Sequence, residues 1–77
     1  MKATIIGLNL NKGRAIAMTS DGEHVLLELS TDEPELHDEV NGDFDEHPFG
    51  DEIIYNITSG TDMDVYTTGL LLRNNSL

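Results

Sequence analysis

The sequence predicts an all-β protein, a small antiparallel barrel of five to six strands. Three observations carry that reading. Short runs rich in Val, Ile, Thr and Leu recur along the chain, separated by glycine-bearing turns at Lys12-Gly13, Asp21-Gly22 and Ser59-Gly60. Residues 23–29, EHVLLEL, alternate with the period-two repeat of a strand that buries one face. No ten-residue stretch shows the 3.6-residue period of an amphipathic helix. A chain of 77 residues has a small core, because domains of this size bury only about 60% of the surface of the extended chain. Closing the sheet on itself removes the open edges that so small a protein struggles to protect.

Taken in order, residues 2–10, KATIIGLNL, form the first expected strand, with Ala3, Ile5 and Gly7 on one face and Thr4, Ile6, Leu8 and Leu10 on the other. Gly7 inside it predicts a bend or bulge, or a close approach of another backbone. Asn9 to Gly13 is a turn, with glycine available for positive φ. Arg14 to Thr19 is the second strand, and Ser20-Asp21-Gly22 makes a hairpin into the third, Glu23 to Leu29. There Val25, Leu27 and Leu29 share one face, and His24, Leu26 and Glu28 the other. Residues 30–39, STDEPELHDE, read as a polar loop with a short helical turn that Ser30 or Asp32 is placed to cap. Val40 to Phe44 is a short strand, residues 45–52 an acidic loop, and Ile53 to Thr58 a further strand. After the Ser59 to Asp62 turn, Met63 to Leu72 is the last strand, interrupted at Gly69. The expected organisation is one barrel domain over residues 1–72 and a flexible tail over residues 73–77. The run Leu70-Leu71-Leu72 reads first as a strand buried in the barrel, and second as an edge that pairs with another copy. Monomer and homodimer are both compatible with it.

Charge is the loudest compositional feature. Fifteen acidic residues face four basic ones, Lys2, Lys12, Arg14 and Arg73, for a net charge of -11. Such a field repels phosphate backbones and anionic membranes and favours cationic partners. With no cysteine, disulfides, thiolate metal sites and cysteine nucleophiles are excluded. The first ten residues lack the apolar core and cleavage site of a signal peptide. No run approaches the roughly 18 apolar residues that span a bilayer. The expectation is a soluble cytoplasmic protein that does not engage a membrane.

Catalytic signatures are missing: there is no G-x-S-x-G elbow, no H-E-x-x-H and no phosphate-binding glycine loop. Carboxylate pairs occur by chance at this acid content, and His24, His37 and His47 stand in polar surroundings. Tyr55 and Tyr66 alternate within apolar strands, which predicts core packing with the hydroxyl at the rim. Residues 32–52 hold ten of the 15 acids together with His37 and His47. Within that segment Asp43, Asp45 and His47 alternate as ligands to a divalent cation would. The spacing has no EF-hand register, so a solvated acidic loop is the preferred reading and no cofactor is expected. An acidic surface that mimics nucleic acid in another protein's basic groove is a weaker reading.

The stretch from Thr4 to Ser30 resembles a cold-shock domain, an OB-fold barrel. Thr4-Ile5 precedes Leu8-Asn9, Lys12-Gly13 opens the next strand, and Ser20-Asp21-Gly22 turns into Val25-Leu26-Leu27-Glu28-Leu29-Ser30. Leu36 to Val40 falls where that family begins its fourth strand, and Asn56-Ile57-Thr58 resembles its closing strand. The pattern covers roughly residues 3–58. The resemblance implies a binding face on the first three strands. At the positions where the family stacks bases on aromatic rings, however, this chain has Gly7, Arg14, Ile16, Leu26 and Glu28, and the family's KGFGF-type run is KGRAI. Without rings, such a face loses about 1–3 kcal/mol of stacking per base, and four basic residues leave little for phosphate contacts.

The sequence therefore points to a non-enzymatic binding module for a protein partner, a basic one given the charge. The contact residues are Arg14, Ile16, Leu26 and Glu28, or the acidic loop 32–52. A divergent single-stranded nucleic-acid-binding domain is the alternative, and divalent-cation binding by the acidic loop a minor one. An SH3-like barrel is the runner-up fold.

Overall fold

The computed structural model describes residues 2–42 and 49–71. Six strands form: β1 (Lys2–Asn9), β2 (Arg14–Thr19), β3 (His24–Leu29), β4 (Glu39–Asn41), β5 (Phe49–Asn56) and β6 (Thr61–Leu71). They close into a barrel in the order β1-β2-β3-β6-β5-β4. Every neighbouring pair is antiparallel. The expected small all-β antiparallel barrel is what the chain builds, at the upper end of the expected strand count. No helix among the described residues is long and apolar enough to cross a membrane.

The interior is filled from all six strands: Ala3 and Ile5 from β1, Ala15 and Ala17 from β2, Val25 and Leu27 from β3, Val40 from β4, Ile54 from β5, and Met63 and Val65 from β6. Leu8 and Leu29 pack against this cluster from the rim. The faces of β3 follow the expected alternation, but those of β1 do not. Ile5 pairs with Ala17 and Gly7 with Ile16, so Ile6 is an extra residue in a bulge. The bulge that Gly7 predicts thus exists, and it reverses the phase beyond it. Leu8, not Gly7, joins Ala3 and Ile5 on the inner side, and Ile6 is turned to solvent. A second irregularity lies where β3 meets β6. Val25 pairs with Leu70 and Leu27 with Thr67, which leaves one more residue on β6 in the segment containing Gly69.

The β2–β3 hairpin has the anticipated turn. Gly22 takes φ +85, its N–H donates to Thr19 O at 2.9 Å, and the buried Thr19 hydroxyl accepts from Glu23 N at 3.1 Å. A three-residue loop with glycine in the left-handed region is one of the common hairpin solutions. The crossover from β3 to β4 differs from expectation. Among the described residues it contains no helix, and neither Ser30 nor Asp32 caps one. The turn is organised instead by Asp38, whose carboxylate accepts from Glu35 N at 2.9 Å and from Asn56 Nδ2 at 2.8 Å.

Strand limits in the second half also move. β4 begins at Glu39, one residue before the expected start, and ends at Asn41; residues 43 and 44 of the expected strand lie outside the described residues. β5 starts at Phe49, inside the expected acidic loop, and ends at Asn56. Asn56-Ile57-Thr58 is therefore not a closing strand. Asn56 Oδ1 accepts from Ser59 N at 3.0 Å, its carbonyl accepts from Gly60 N at 2.8 Å, and the chain turns there. β6, beginning at Thr61, returns to β3 and closes the barrel. Leu70 and Leu71 pair with Val25 and His24. Leu72 and the expected tail 73–77 lie outside the described residues.

Asn56 is 1% exposed and Asp38 7%, so the bond between them is sheltered from water. Replacing Asn56 with Ala leaves the Asp38 carboxylate short of a donor. Urea denaturation is expected to show a loss of about 2–3 kcal/mol, and a loss under about 0.5 kcal/mol, the scale of surface changes, would rule the linkage out.

Candidate binding face

β5 and β6 alternate over residues 53–56 and 62–67. On β6, Met63, Val65 and Thr67 are buried while Asp62, Asp64 and Tyr66 are exposed; on β5, Ile54 and Asn56 are buried while Asp51, Ile53 and Tyr55 are exposed. The register places Asp51 opposite Tyr66, Ile53 opposite Asp64 and Tyr55 opposite Asp62. Each rung of the outer face thus joins one carboxylate to one apolar or aromatic side chain. On its other flank Tyr66 is opposite Glu28 of β3. Tyr66 thus has an acidic residue on each neighbouring strand, with Cβ atoms about 5 Å from its own, the spacing of direct cross-strand neighbours.

A groove of about 620 Å³ runs over this part of the barrel, lined by Glu28, Leu29, Ser30, Asp51, Glu52, Ile53, Asp64, Val65 and Tyr66. Its volume is within the range of ligand clefts, about 300–1,000 Å³. Four of the lining residues are acidic and none is basic. The carboxylates of Glu28, Asp51 and Asp64 are not engaged by other described residues. Ile53 is 68% exposed, Tyr55 46% and Tyr66 45%. The expectation that both tyrosines pack in the core is corrected here. They occupy outward positions of their strands, because Ile54, Met63 and Val65 take the inward ones. Their strand preference is satisfied by the pleated backbone in either orientation.

The four residues singled out in the sequence do come together. Arg14 pairs with Glu28 and Ile16 with Leu26 on adjacent strands. The rung Asn9–Arg14–Glu28–Tyr66–Asp51 runs around the outside of the barrel. Glu28 is the member that reaches the groove. Ile16 is only 3% exposed and so belongs to the packed part of the molecule. Leu26 is half-buried, as is Arg14, whose Nε is enclosed with no hydrogen-bond partner. Sequence reading missed Tyr66, Ile53 and Asp64, while Asp51 falls within the acidic segment 32–52 that it offered as the alternative contact. The signal was present in the alternation of Asp62, Asp64 and Tyr66 against Met63, Val65 and Thr67.

Among the described residues no three His, Asp or Glu side chains gather to hold a metal ion. Asp43, Asp45 and His47, the alternating set in the acidic segment, lie outside the described residues. His24 is half-buried and His37 exposed. Fold and face together define a small closed antiparallel barrel with an acidic, aromatic groove on its outer surface. No protein-family model, no curated protein and no solved structure matches the chain.

A buried residue and an exposed one should separate cleanly in stability. Ile53→Ser is expected to shift the urea-unfolding free energy by no more than about 0.5 kcal/mol. Ile16→Ala is expected to cost about 2–4 kcal/mol, as core truncations do. Equal effects would contradict the assignment of Ile16 to the packed part and Ile53 to the free face.

Proposed function

We propose that this protein is a small non-enzymatic binding module that contacts a basic protein partner through the outer face of β3, β6 and β5. The observation that carries the reading is the rung pattern of that face: exposed Tyr66, Ile53 and Tyr55, each set opposite an aspartate. Apolar and aromatic side chains supply contact area, while carboxylates select a partner of opposite charge and steer its approach. The net charge of -11 acts in the same direction over longer range.

A second reading, a divergent single-stranded nucleic-acid-binding domain of cold-shock type, is favoured by one feature. Two tyrosines are displayed on a barrel surface, as base stacking requires. Against it, Tyr66 is flanked by Glu28 and Asp51, and Tyr55 is opposite Asp62. A phosphate backbone laid over those rings would meet carboxylates where it needs cations.

Affinity capture with the immobilised protein, run beside an Ile53→Glu, Tyr66→Ala variant, distinguishes the two. The expected outcome is a protein with a basic surface that the wild type retains, raised salt releases, and the variant fails to hold. Recovery of nucleic acid alone, or equal retention by both proteins, counts against the module. In parallel, fluorescence anisotropy with random oligonucleotides at low salt is expected to show no binding up to about 100 μM, the weak end of non-specific affinity.

A further inference from the structure

The residues that line the groove restrict what chemistry fits it. It crosses three strands, about 10 Å, and two outward rungs, about 7 Å. That footprint accepts one or two side chains, not a helix lying along it, whose diameter with side chains is about 10–12 Å. The lining contains the Glu28–Tyr66–Asp51 rung, a tyrosine with an acidic residue on the strand at either side, and Ile53 and Leu29 add apolar surface beside it.

Each component restricts the occupant. Two acidic residues flanking Tyr66, with no basic residue in the lining and Arg14 opposite Glu28 alone of the two, favour a cation. The ring attracts a cation over its face. A planar guanidinium satisfies both demands together, because it stacks flat on an aromatic ring and presents donors at its edges to carboxylates. An ammonium is a compact, strongly hydrated point charge and gains less from stacking. Ile53 offers an apolar surface for the methylene stem. We infer that the groove receives an arginine side chain from an extended segment of the partner protein, with Tyr66 as the stacking surface and Glu28 and Asp51 as the flanking acceptors. The inference rests on the binding-module reading above and specifies its central contact.

The test is a ¹⁵N-resolved NMR titration of the full chain with three blocked tetrapeptides, Ac-Gly-X-Leu-Gly-NH₂, where X is arginine, lysine or citrulline. Citrulline keeps the planar shape without the charge. Amide shifts are expected at Glu28, Asp51, Ile53 and Tyr66, with the arginine peptide binding about threefold to fivefold more tightly than the lysine peptide and the citrulline peptide not measurably. Tyr66→Phe is expected to keep the preference. Tyr66→Ala, whose fold the same spectra check, should abolish it. The inference is overturned by shifts that map elsewhere on the barrel, by equal affinity for arginine and lysine, by indifference to Tyr66→Ala, or by no shift at about 10 mM peptide, weaker than the millimolar end of useful affinity. Each of these results leaves the broader module standing if the capture experiment still retains a basic protein on the wild type alone. Failure of that capture removes the module itself.

Discussion

The join that closes the barrel is braced by a buried hydrogen bond, from Asn56 Nδ2 to the Asp38 carboxylate at 2.8 Å. Closure runs through β4, which has only three residues and is the bridge between β1 and β5. So short a ladder cannot fix its own position. Asp38 fixes it from the preceding turn: its carbonyl accepts from Ile5 N at 2.8 Å, and His37 N donates to Ile5 O at 2.7 Å. From the other side, the β5–β6 turn folds over β4, with Thr58 Oγ1 accepting from Glu39 N at 2.9 Å. His37 takes φ +74 to make this turn, a conformation that costs a non-glycine residue roughly 1–2 kcal/mol. Such strain persists where the surroundings over-determine the backbone, as bonds to β1, to the crossover and to β5 do here.

Closure also dictates how large the side chains inside can be. β2 presents Ala15 and Ala17 inward, opposite Leu8 and Ile5 of β1 and Leu27 and Val25 of β3. Large residues on both sides of small ones interdigitate, which is how a narrow barrel reaches dense packing. With Ile54, Met63 and Val65 filling the remaining arc, the interior is occupied, and rings the size of Tyr55 and Tyr66 are placed outside. The exposed face is thus a consequence of the core: strand-forming residues beyond those the interior accommodates are displayed on the surface.

How much of this could be read in advance depended on how local each determinant was. The β2 limits, the Asp21-Gly22 hairpin and the inward set Val25 and Leu27 were legible, because two adjacent strands and one glycine turn decide them. The kink at Gly7 was legible as a kink, but its effect on Leu8 was not. A bulge shifts phase according to the partner strand, and the pairing of Ile5 with Ala17 and Gly7 with Ile16 is non-local. The crossover was misread because Asp32 and Ser30 look like helix caps locally, whereas the residue in control is Asp38, satisfied by Asn56 eighteen positions away. For the candidate face, Glu28 was named and Asp51 was covered by the acidic segment 32–52, but Tyr66 was not. Alternation in β6 shows that Tyr66 shares a side with Asp62 and Asp64. Only the fact that Val65 completes the core shows which side is inward.

Magnitudes bear on how such a face can work. An exposed ion pair contributes about 0–1 kcal/mol, and a cation over an exposed ring about 0.5–1 kcal/mol. One cation held by Glu28, Tyr66 and Asp51 therefore gains at most roughly 3 kcal/mol, short of the approximately 8 kcal/mol that corresponds to micromolar binding. The remainder must come from surface beyond the groove. The barrel supplies it in one direction. Toward β2 the same rung ends at Arg14, a cation of the wrong sign for such a partner, and Asn9. Toward the β5–β6 turn, the outer face continues through Ile53 and Asp64 to Tyr55 and Asp62, alternating apolar and acidic at each step. On the proposed reading, a partner held at Tyr66 would gain further contact by running along that stripe, with the groove as anchor and register mark and the segment that follows it supplying most of the affinity.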